Sequence, residues 1–248
     1  MGGGGFTMEP GNPALDHFLL TLLERREPRL LFLPTASGDP QEQVQRFHAC
    51  YDGTAGTTTV LSLFRLHGQD LDLEELVLAQ DLVYVGGGSM RNMLAIWREH
   101  GLDRILRTAY ERGTVLAGLS AGAMCWFAGG VTKSGGAPAP VRGLGLLEGS
   151  LSVHSDGEPD RLPVYREAVR RGELPPGWAA DDGVGLLFED ETLVRAVSSR
   201  PGAGAARIEA DGTETELDVV ELPRATDRRL RPVPHDIAEF RALRRARG

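Results

Sequence analysis

Hydrophobic and polar residues repeat with two different periods along the first two-thirds of the chain. Over residues 13–26 the apolar side chains fall on one helical face, with Asn12 as a cap before Pro13. The segment RLLFLPTAS, residues 29–37, is typical of a short buried strand that Pro34 ends. The same reasoning predicts further helices over 41–51, 71–79, 90–100, 102–112 and 121–128, and strands over 56–64, 81–89 and 114–120. This alternation predicts an α/β fold, a mainly parallel sheet with helices on both faces.

The C-terminal third has a different pattern. Segments 184–190, 192–199 and 206–222 are typical of short strands joined by turns. They predict an antiparallel C-terminal extension of the same sheet. The arginine-rich segment 241–248 is typical of a solvated helix end. Because no internal repeat or long linker divides the chain, we expect a single α/β domain spanning 1–248.

Composition and charge exclude several classes of protein. The chain has 248 residues, of which 41% are hydrophobic, and a formal net charge of −8 without a long basic run, which argues against nucleic-acid binding. No apolar run approaches the roughly 18 residues that a membrane span needs, and the start lacks the pattern of a signal peptide. The cysteines, Cys50 and Cys125, have no CxxC spacing. Two such thiols are typical of a reducing compartment, so we expect a cytoplasmic protein.

The clearest chemical signal lies in the segment TVLAGLSAGAMCWF, residues 114–127. Gly118, Ser120 and Gly122 fit the GxSxG pattern of a nucleophile elbow, in which a serine sits on a sharp strand-to-helix turn. Small neighbours suit such a turn because it brings backbones close together. The alternative is a tight turn in which Ser120 only caps the following helix.

A serine hydroxyl becomes a good nucleophile only when a base takes its proton. A histidine base in turn needs a carboxylate that holds it in the correct tautomer. Of the histidines, His154 follows an apolar segment and lies at the end of a predicted strand, the same kind of edge as Ser120. Asp181 and Asp182 also lie at a predicted strand end, although Asp-Gly is a common turn pair. The chain order Ser…His…Asp differs from that of α/β-hydrolases, which disfavours that fold. The other candidate bases are His17, His48, His67, His100 and His235.

Two glycine-rich segments stand out. The run 86–88 ends a predicted strand and precedes a helix, which suits a backbone N–H that stabilises an oxyanion. A phosphate-binding loop is disfavoured there because no GxGxxG or GxxxxGK[ST] pattern is present. The run 2–5 has no strand before it. Two interpretations stay open for that run: a first strand that this chain lacks, or a disordered start.

Together these motifs resemble the peptidase E family of serine peptidases, which includes cyanophycinase. The resemblance rests on segments 32–37, 83–94, 117–126, 143–154 and 179–183, in that order. It implies a fold similar to that of class I glutamine amidotransferases, with serine in place of the cysteine nucleophile. Because the chain has no HExxH motif and no Cys/His cluster, we also expect no metal and no organic cofactor. The functional residues that the resemblance implies are Ser120 as nucleophile, His154 as base, and oxyanion donors at Gly87, Gly88 and Ala121.

The chain departs from the family pattern at two places. The third member of the family's triad is typically a glutamate; Asp182 matches its place, with Asp181 as the alternative. Ser89 stands where aspartyl dipeptidases have an asparagine. The resemblance also implies an arginine that holds the substrate's aspartate, and Arg161 or Arg166 is the candidate, although both also suit a solvated helix face. Strict Asp-X specificity is therefore not implied.

The sequence predicts a serine peptidase that removes the N-terminal residue of short peptides by a Ser-His-Asp triad and an acyl-enzyme. One alternative is a cyanophycinase-like hydrolase that cuts β-linked aspartyl-arginine dipeptides. The other is a non-catalytic ligand-binding relative that kept the elbow as a turn. We expect the protein to bind a short peptide as its substrate. We expect no binding to nucleic acid or to a membrane. The resemblance also agrees with a homodimer.

Overall fold

Four parallel strands form the first sheet of the protein. A computed structural model describes residues 1–66 and 71–223. The strands are β1 (Arg29–Leu33), β2 (Thr57–Val60), β3 (Leu82–Val85) and β4 (Val115–Gly118), in the spatial order β2-β1-β3-β4. Leu30 of β1 pairs with Thr58 on one side and Leu82 on the other.

Helices cover both faces of this sheet. They are α1 (Gly5–Met8), α2 (Ala14–Thr21), α3 (Gln41–Tyr51), α4 (Leu73–Leu78), α5 (Met90–Glu99) and α6 (Leu102–Glu111). Successive strand residues point to opposite faces, so Leu30 and Phe32 pack with the α1, α2 and α3 side chains. Leu31 and Leu33 pack on the other face, in the cluster that holds Trp97 and the α6 residues. The first sheet is therefore buried on both sides, as parallel sheets usually are.

A second sheet follows the short helix α7 (Ala121–Met124). Its strands are β5 (Phe127–Thr132), β6 (Ala139–Arg142), β7 (Leu147–Val153), β8 (Gly177–Ala180), β11 (Ala205–Ile208) and β12 (Glu214–Glu216), in the order β12-β11-β8-β7-β5-β6. Strands β5, β7 and β8 run parallel, and the outer pairs run antiparallel. Helix α8 (Arg161–Arg170) packs on β5, β6 and β7.

A third sheet contains β9 (Val184–Glu189), β10 (Thr192–Ser198) and β13 (Val219–Glu221), in the order β13-β10-β9. Strands β9 and β10 pair antiparallel, whereas β10 and β13 pair parallel. The predicted α/β class and the antiparallel C-terminal part are thus confirmed. The C-terminal strands differ from the prediction in one respect: among the described residues they form hydrogen-bonded sheets of their own, and β4 and β9 are both edge strands.

Two predicted helices end four or more residues before their predicted ends. The helix predicted over 121–128 is wrong beyond Met124, because β5 begins at Phe127 and pairs with both β6 and β7. The helix predicted over 13–26 ends at Thr21. The tail 241–248 lies outside the described residues. Within the described ranges, no helix has the length and apolar character needed to cross a membrane.

A carboxyl group is buried in the core under α2. Asp16 is fully buried, and the Tyr51 hydroxyl donates to its Oδ1 at 2.8 Å. Burial raises the pKa of Asp16 to about 7, against the smaller lowering effect of the Tyr51 hydrogen bond. The Tyr84 hydroxyl is also buried there, without a hydrogen-bond partner among the described residues. The site therefore favours a protonated Asp16, which needs no counter-charge.

We expect Asp16→Asn to gain stability relative to the parent as pH rises. The folded state holds the Asp16 proton up to about pH 7, whereas the unfolded chain releases it near pH 4, so the parent loses this stabilisation as pH rises. The neutral asparagine has no such loss. Urea unfolding between pH 5 and pH 7.5 should show a relative gain of about 2–3 kcal/mol. The exposed Asp218→Asn variant is the control, and an equal pH dependence for parent and Asp16→Asn would contradict the expectation.

Candidate active site

Ser120 lies on the turn between β4 and α7, where the backbone is strained. Its φ of 53° and ψ of −113° are unusual for a residue with a side chain. Glycines make the turn feasible: a Cβ on Gly118 would lie 2.0 Å from the Gly122 carbonyl oxygen, and one on Gly122 would lie 2.4 Å from the Val85 carbonyl oxygen. The GxSxG spacing is therefore a steric requirement of this turn.

The Ser120 side chain does not cap the helix. It forms no capping hydrogen bond with α7, and its Oγ lies 2.8 Å from Nε2 of His154. His154 comes directly after β7, with a positive φ of 60°. The alternative of a purely structural capping serine is therefore disfavoured by the geometry.

The second ring nitrogen of His154 contacts a carboxylate. Nδ1 forms a short hydrogen bond with Oδ1 of Asp182, in the turn after β8. The two side chains are 12% and 15% exposed, so the pair is largely shielded from water. The Asp182 backbone N–H in turn donates to Asp156 Oδ1 at 2.9 Å, which fixes the turn. Ser120, His154 and Asp182 thus form one connected hydrogen-bond chain.

Asp181, the alternative acid, has a different role. Its Oδ2 accepts from the Gly204 N–H at 2.9 Å, and its own N–H donates to the Gly204 carbonyl. These contacts tie β8 to the segment before β11. Partial burial raises the pKa of Asp181, with a smaller contribution from the nearby charge of Asp156. The structure therefore brings Asp182, and not Asp181, to His154.

The glycines at the start of the chain lie beside the triad, which sequence reasoning missed. They are buried, so the interpretation as a disordered start does not apply to the described Gly2–Gly5 stretch. A Cβ on Gly3 would lie 1.9 Å from Oδ1 of Asp182, and one on Gly2 would lie 2.2 Å from the Asp181 carbonyl oxygen. The Met1 carbonyl accepts from the Ser120 N–H at 3.1 Å. The run of glycines itself was the available signal, because close backbone approach is what glycine permits.

The loop after β3 approaches Ser120 through its glycines. A Cβ on Gly87 would lie 3.3 Å from the Ser120 Cβ, and one on Gly88 would lie 2.2 Å from the Ala36 carbonyl oxygen. Gly88 also has a φ of +138°. Ala121 is the first residue of α7, where N–H groups have no acceptor within the helix. Gly87 thus lies next to Ser120, Gly88 packs against Ala36 in the same loop, and Ala121 begins the helix that follows the serine.

The three residues predicted to bind substrate, Ser89, Arg161 and Arg166, lie in different environments. Ser89 caps α5, since its Oγ accepts from the Asn92 N–H at 3.3 Å. Arg166 is exposed and forms an ion pair with Glu214 of β12. The Arg161 side chain is 6% exposed and lies 2.8 Å from Glu158. Burial lowers the pKa of Arg161, opposed by the charge of Glu158.

Arg161 also reaches the strand that carries the histidine. Its Nη1 donates to the carbonyl of Val153 at 3.4 Å, one residue before His154. The charge of Asp182 also acts on Arg161. Of the two arginine candidates, Arg161 is therefore the one that lies beside the triad, and it already has a carboxylate partner.

Cys125 is not a rival nucleophile. It is fully buried, and its Sγ donates to the Gly122 carbonyl at 3.2 Å. Burial holds the pKa of this thiol well above its usual value, so it stays protonated and unreactive. No group of three or more potential metal-ligating side chains occurs within residues 1–66 and 71–223.

The chain is similar in sequence to proteins of known family. The chain is 46% identical over 223 residues to the "Uncharacterized peptidase YgaJ" of Bacillus subtilis (strain 168), covering 90% of this chain and 94% of that protein. A 96-residue stretch is 38% identical to "Imidazole glycerol phosphate synthase subunit HisH" of Geobacillus thermodenitrificans (strain NG80-2), covering 37% of this chain and 43% of that protein.

A solved structure shares the fold, and a family model assigns the family. A crystal structure described as a peptidase from an acI-B1 Actinobacterium superposes with a TM-score of 0.68 at 20% identity, covering 90% of this chain and 94% of that one. The model of peptidase family S51 matches residues 1–196. The resemblance inferred from the motifs is therefore confirmed, and the chain belongs to peptidase family S51, the peptidase E and cyanophycinase family.

Proposed function

We propose that the protein is a serine peptidase that removes the N-terminal residue of short peptides through an acyl-enzyme. The main support is the 2.8 Å contact between Ser120 Oγ and His154 Nε2, at a turn where the serine forms no capping hydrogen bond. Membership of a peptidase family supports hydrolysis of peptide bonds. The preference for a free N-terminus follows from the resemblance to the aspartyl dipeptidases of the family.

In the proposed reaction, Ser120 Oγ attacks the first peptide carbonyl while His154 Nε2 takes its proton. The N–H on Nδ1 points to Asp182, which holds this tautomer and stabilises the imidazolium that forms. The N–H groups of Gly88 and Ala121 hold the oxyanion. Collapse of the tetrahedral intermediate breaks the C–N bond, and His154 returns the proton to the leaving amine. Water then releases the acyl group by the same steps.

The surroundings of Arg161 favour a broad first-residue preference. An arginine that holds a substrate carboxylate must have donors free for it. The two terminal nitrogens of Arg161 instead face Glu158 and the Val153 carbonyl, which leaves only the buried Nε without a partner among the described residues. Arg166 faces Glu214. We therefore propose that Arg161 positions His154 by joining α8 to the end of β7, and that the pocket does not require an acidic first residue.

We expect Ser120→Ala to reduce kcat/KM by roughly 10⁴-fold or more, since removal of a triad nucleophile leaves only binding and oxyanion stabilisation. Hydrolysis is measured on Asp-Leu, Glu-Leu, Ala-Leu, Leu-Leu and Met-Leu, and we expect the parent to cut several of them. A fluorophosphonate probe should add to the parent at Ser120 and not to the variant. An unchanged thermal midpoint shows that the variant is folded.

Other outcomes of this panel are equally informative. Unchanged turnover in Ser120→Ala would refute the mechanism. Cleavage of Asp-Leu alone would show a carboxylate clamp and refute the broad pocket. If no dipeptide is cut and the parent releases Asp-Arg from cyanophycin, the enzyme is a cyanophycinase-like hydrolase. If neither substrate is cut and no probe is bound, the protein is a ligand-binding relative.

The two adjacent aspartates provide a matched pair. Asp182→Asn should lower kcat by about 10³- to 10⁴-fold, because the amide favours the wrong His154 tautomer. Asp181→Asn keeps an oxygen that can accept from the Gly204 N–H, so it should keep activity within a few-fold and a thermal midpoint near that of the parent. Kinetics and melting of both variants are compared with the parent. A larger loss of kcat in Asp181→Asn than in Asp182→Asn would reverse the assignment.

Arg161→Gln tests whether this residue positions His154 or binds substrate. A positioning role predicts a lower kcat for every dipeptide with little change in their relative KM. A carboxylate clamp predicts instead a higher KM for Asp-Leu and Glu-Leu alone. Arg170→Gln, on the same helix and paired with Glu167 at the surface, is the control that should match the parent. Arg166→Gln is measured in parallel for the same selective effect on KM.

A further inference from the structure

Asp182 lies on a turn that joins strands of two different sheets. Strand β8 of the six-stranded sheet ends at Ala180, and β9 of the three-stranded sheet begins at Val184. Within the turn, the Val184 N–H donates to the Asp181 carbonyl at 3.3 Å, and Gly183 has a positive φ of 82°. Because neither of these described sheets includes Asp182 among its paired residues, the contacts of the turn itself determine where this carboxylate points.

Two segments of the chain contact this turn at Gly183. The Gly183 N–H donates to the Gly3 carbonyl at 3.2 Å. A Cβ on Gly4 would lie 3.3 Å from the Gly183 Cα, so the two backbones are in close contact. The Gly183 carbonyl accepts from the Ser199 N–H at 2.9 Å. The residue after Asp182 is thus bound both by the N-terminal glycines and by the segment that follows β10.

Glu9 links these two segments. Its own N–H donates to the Gly5 carbonyl at 2.8 Å, at the end of α1. Its Oε2 accepts from the Ser199 hydroxyl at 2.8 Å, and its Oε1 accepts from the Arg200 Nε–H. The Asn12 amide adds a bond to the Ser199 carbonyl at 2.9 Å. The Glu9 side chain is only 11% exposed, so both of its oxygens bind the segment after β10 largely shielded from water.

Arg200 fills the space beside the turn. A Cβ on Gly183 would lie 2.9 Å from the Arg200 Cγ and 3.0 Å from its Cδ, so the arginine stem packs directly on this glycine. The hydrogen bond to Glu9 is the main cause that raises the pKa of Arg200, and the charges of Asp182 and Asp156 raise it further. The guanidinium thus lies close enough to Asp182 to interact with its charge. Glu9 therefore fixes a side chain that packs on the neighbour of Asp182.

We propose that Glu9 is a positioning residue: its bonds to the segment after β10 hold the turn in the place where Asp182 meets His154. This role rests on the proposed Ser-His-Asp chemistry, in which Asp182 keeps His154 in the correct tautomer and orientation. Glu9 acts only through the turn. A misplacement of about 1 Å at a catalytic group can cost about 100-fold in rate. A looser turn therefore slows the chemical step and leaves substrate binding largely unchanged.

Three substitutions in the full chain test the proposal. Glu9→Ala removes both carboxylate contacts. Glu9→Gln is the conservative variant, because its amide oxygen can accept from Arg200 while its NH₂ group donates to the Ser199 Oγ. Asp81→Ala is the matched control, since Asp81 also binds a second segment by accepting from the Arg29 N–H at 2.7 Å. Asp81 precedes β3, so it lies at the end of the first sheet away from the triad.

Each variant is compared with the parent in three measurements. The values of kcat and KM are determined on the dipeptides that the parent cuts. The thermal midpoint reports the stability of the fold. Proton NMR at low temperature detects the proton on His154 Nδ1, which resonates far downfield because it is shared with Asp182. This resonance reports the contact between the two side chains whether or not the protein cuts peptides.

We expect Glu9→Ala to lower kcat by about 10- to 100-fold and to change KM by less than about twofold. Its downfield His154 resonance should broaden or disappear. Glu9→Gln should restore most of kcat and the resonance. Asp81→Ala should lower the thermal midpoint and keep the kcat and the resonance of the parent. Parent-like kcat and resonance in Glu9→Ala, or an equal loss of kcat in Asp81→Ala, would overturn the proposal.

The NMR measurement separates this proposal from the proposed function. If the parent cuts no peptide but Glu9→Ala loses a resonance that the parent shows, the peptidase function fails and the positioning role is supported. Absence of the resonance in the parent would overturn the positioning role. Should Glu9→Ala not fold, Ser199→Ala replaces it, because this variant loses the hydroxyl bound to Glu9 and keeps the ion pair with Arg200. It should show a smaller loss of kcat and a weaker resonance, and parent-like values of both would overturn the proposal.

Discussion

The arrangement of the site depends on close contact between backbones at the Ser120 turn. The carbonyl of Val85 at the end of β3 touches Gly122, and the carbonyl of Gly122 touches Gly118. A methyl group at either glycine would need space that these carbonyl oxygens occupy. The turn can therefore hold a serine at positive φ only because the residues two positions before and two positions after it have no side chains. The first glycines of the chain extend the same packing to Asp182.

The three residues of the proposed triad come from two sheets. Ser120 follows β4 of the four-stranded sheet, whereas His154 and Asp182 follow β7 and β8 of the six-stranded sheet. The hydrogen bond between Ser120 and His154 therefore crosses from one sheet to the other. The two sheets also share one hydrophobic core cluster, which contains Leu31 and Val83 of the first sheet and Leu151 of the second.

Most residues of the candidate site could be predicted from the sequence, because the carboxyl ends of parallel strands lie at the same edge of a sheet. Ser120 and His154 could be placed together since each follows an apolar strand in a parallel arrangement. The sequence could not distinguish Asp181 from Asp182 as the partner of His154. Adjacent residues of a turn point in different directions, and only the three-dimensional conformation of the turn determines which carboxylate faces the histidine. The helix predicted over 121–128 failed for another reason: pairing with two distant strands overrode a local pattern.

The donors assigned to the oxyanion all belong to the main chain. A side-chain donor such as an asparagine can be lost by any substitution, whereas a backbone N–H remains with every residue except proline, provided that the loop keeps its conformation. Substitutions of the surrounding side chains can therefore change which peptides fit without removing the donors proposed for the oxyanion.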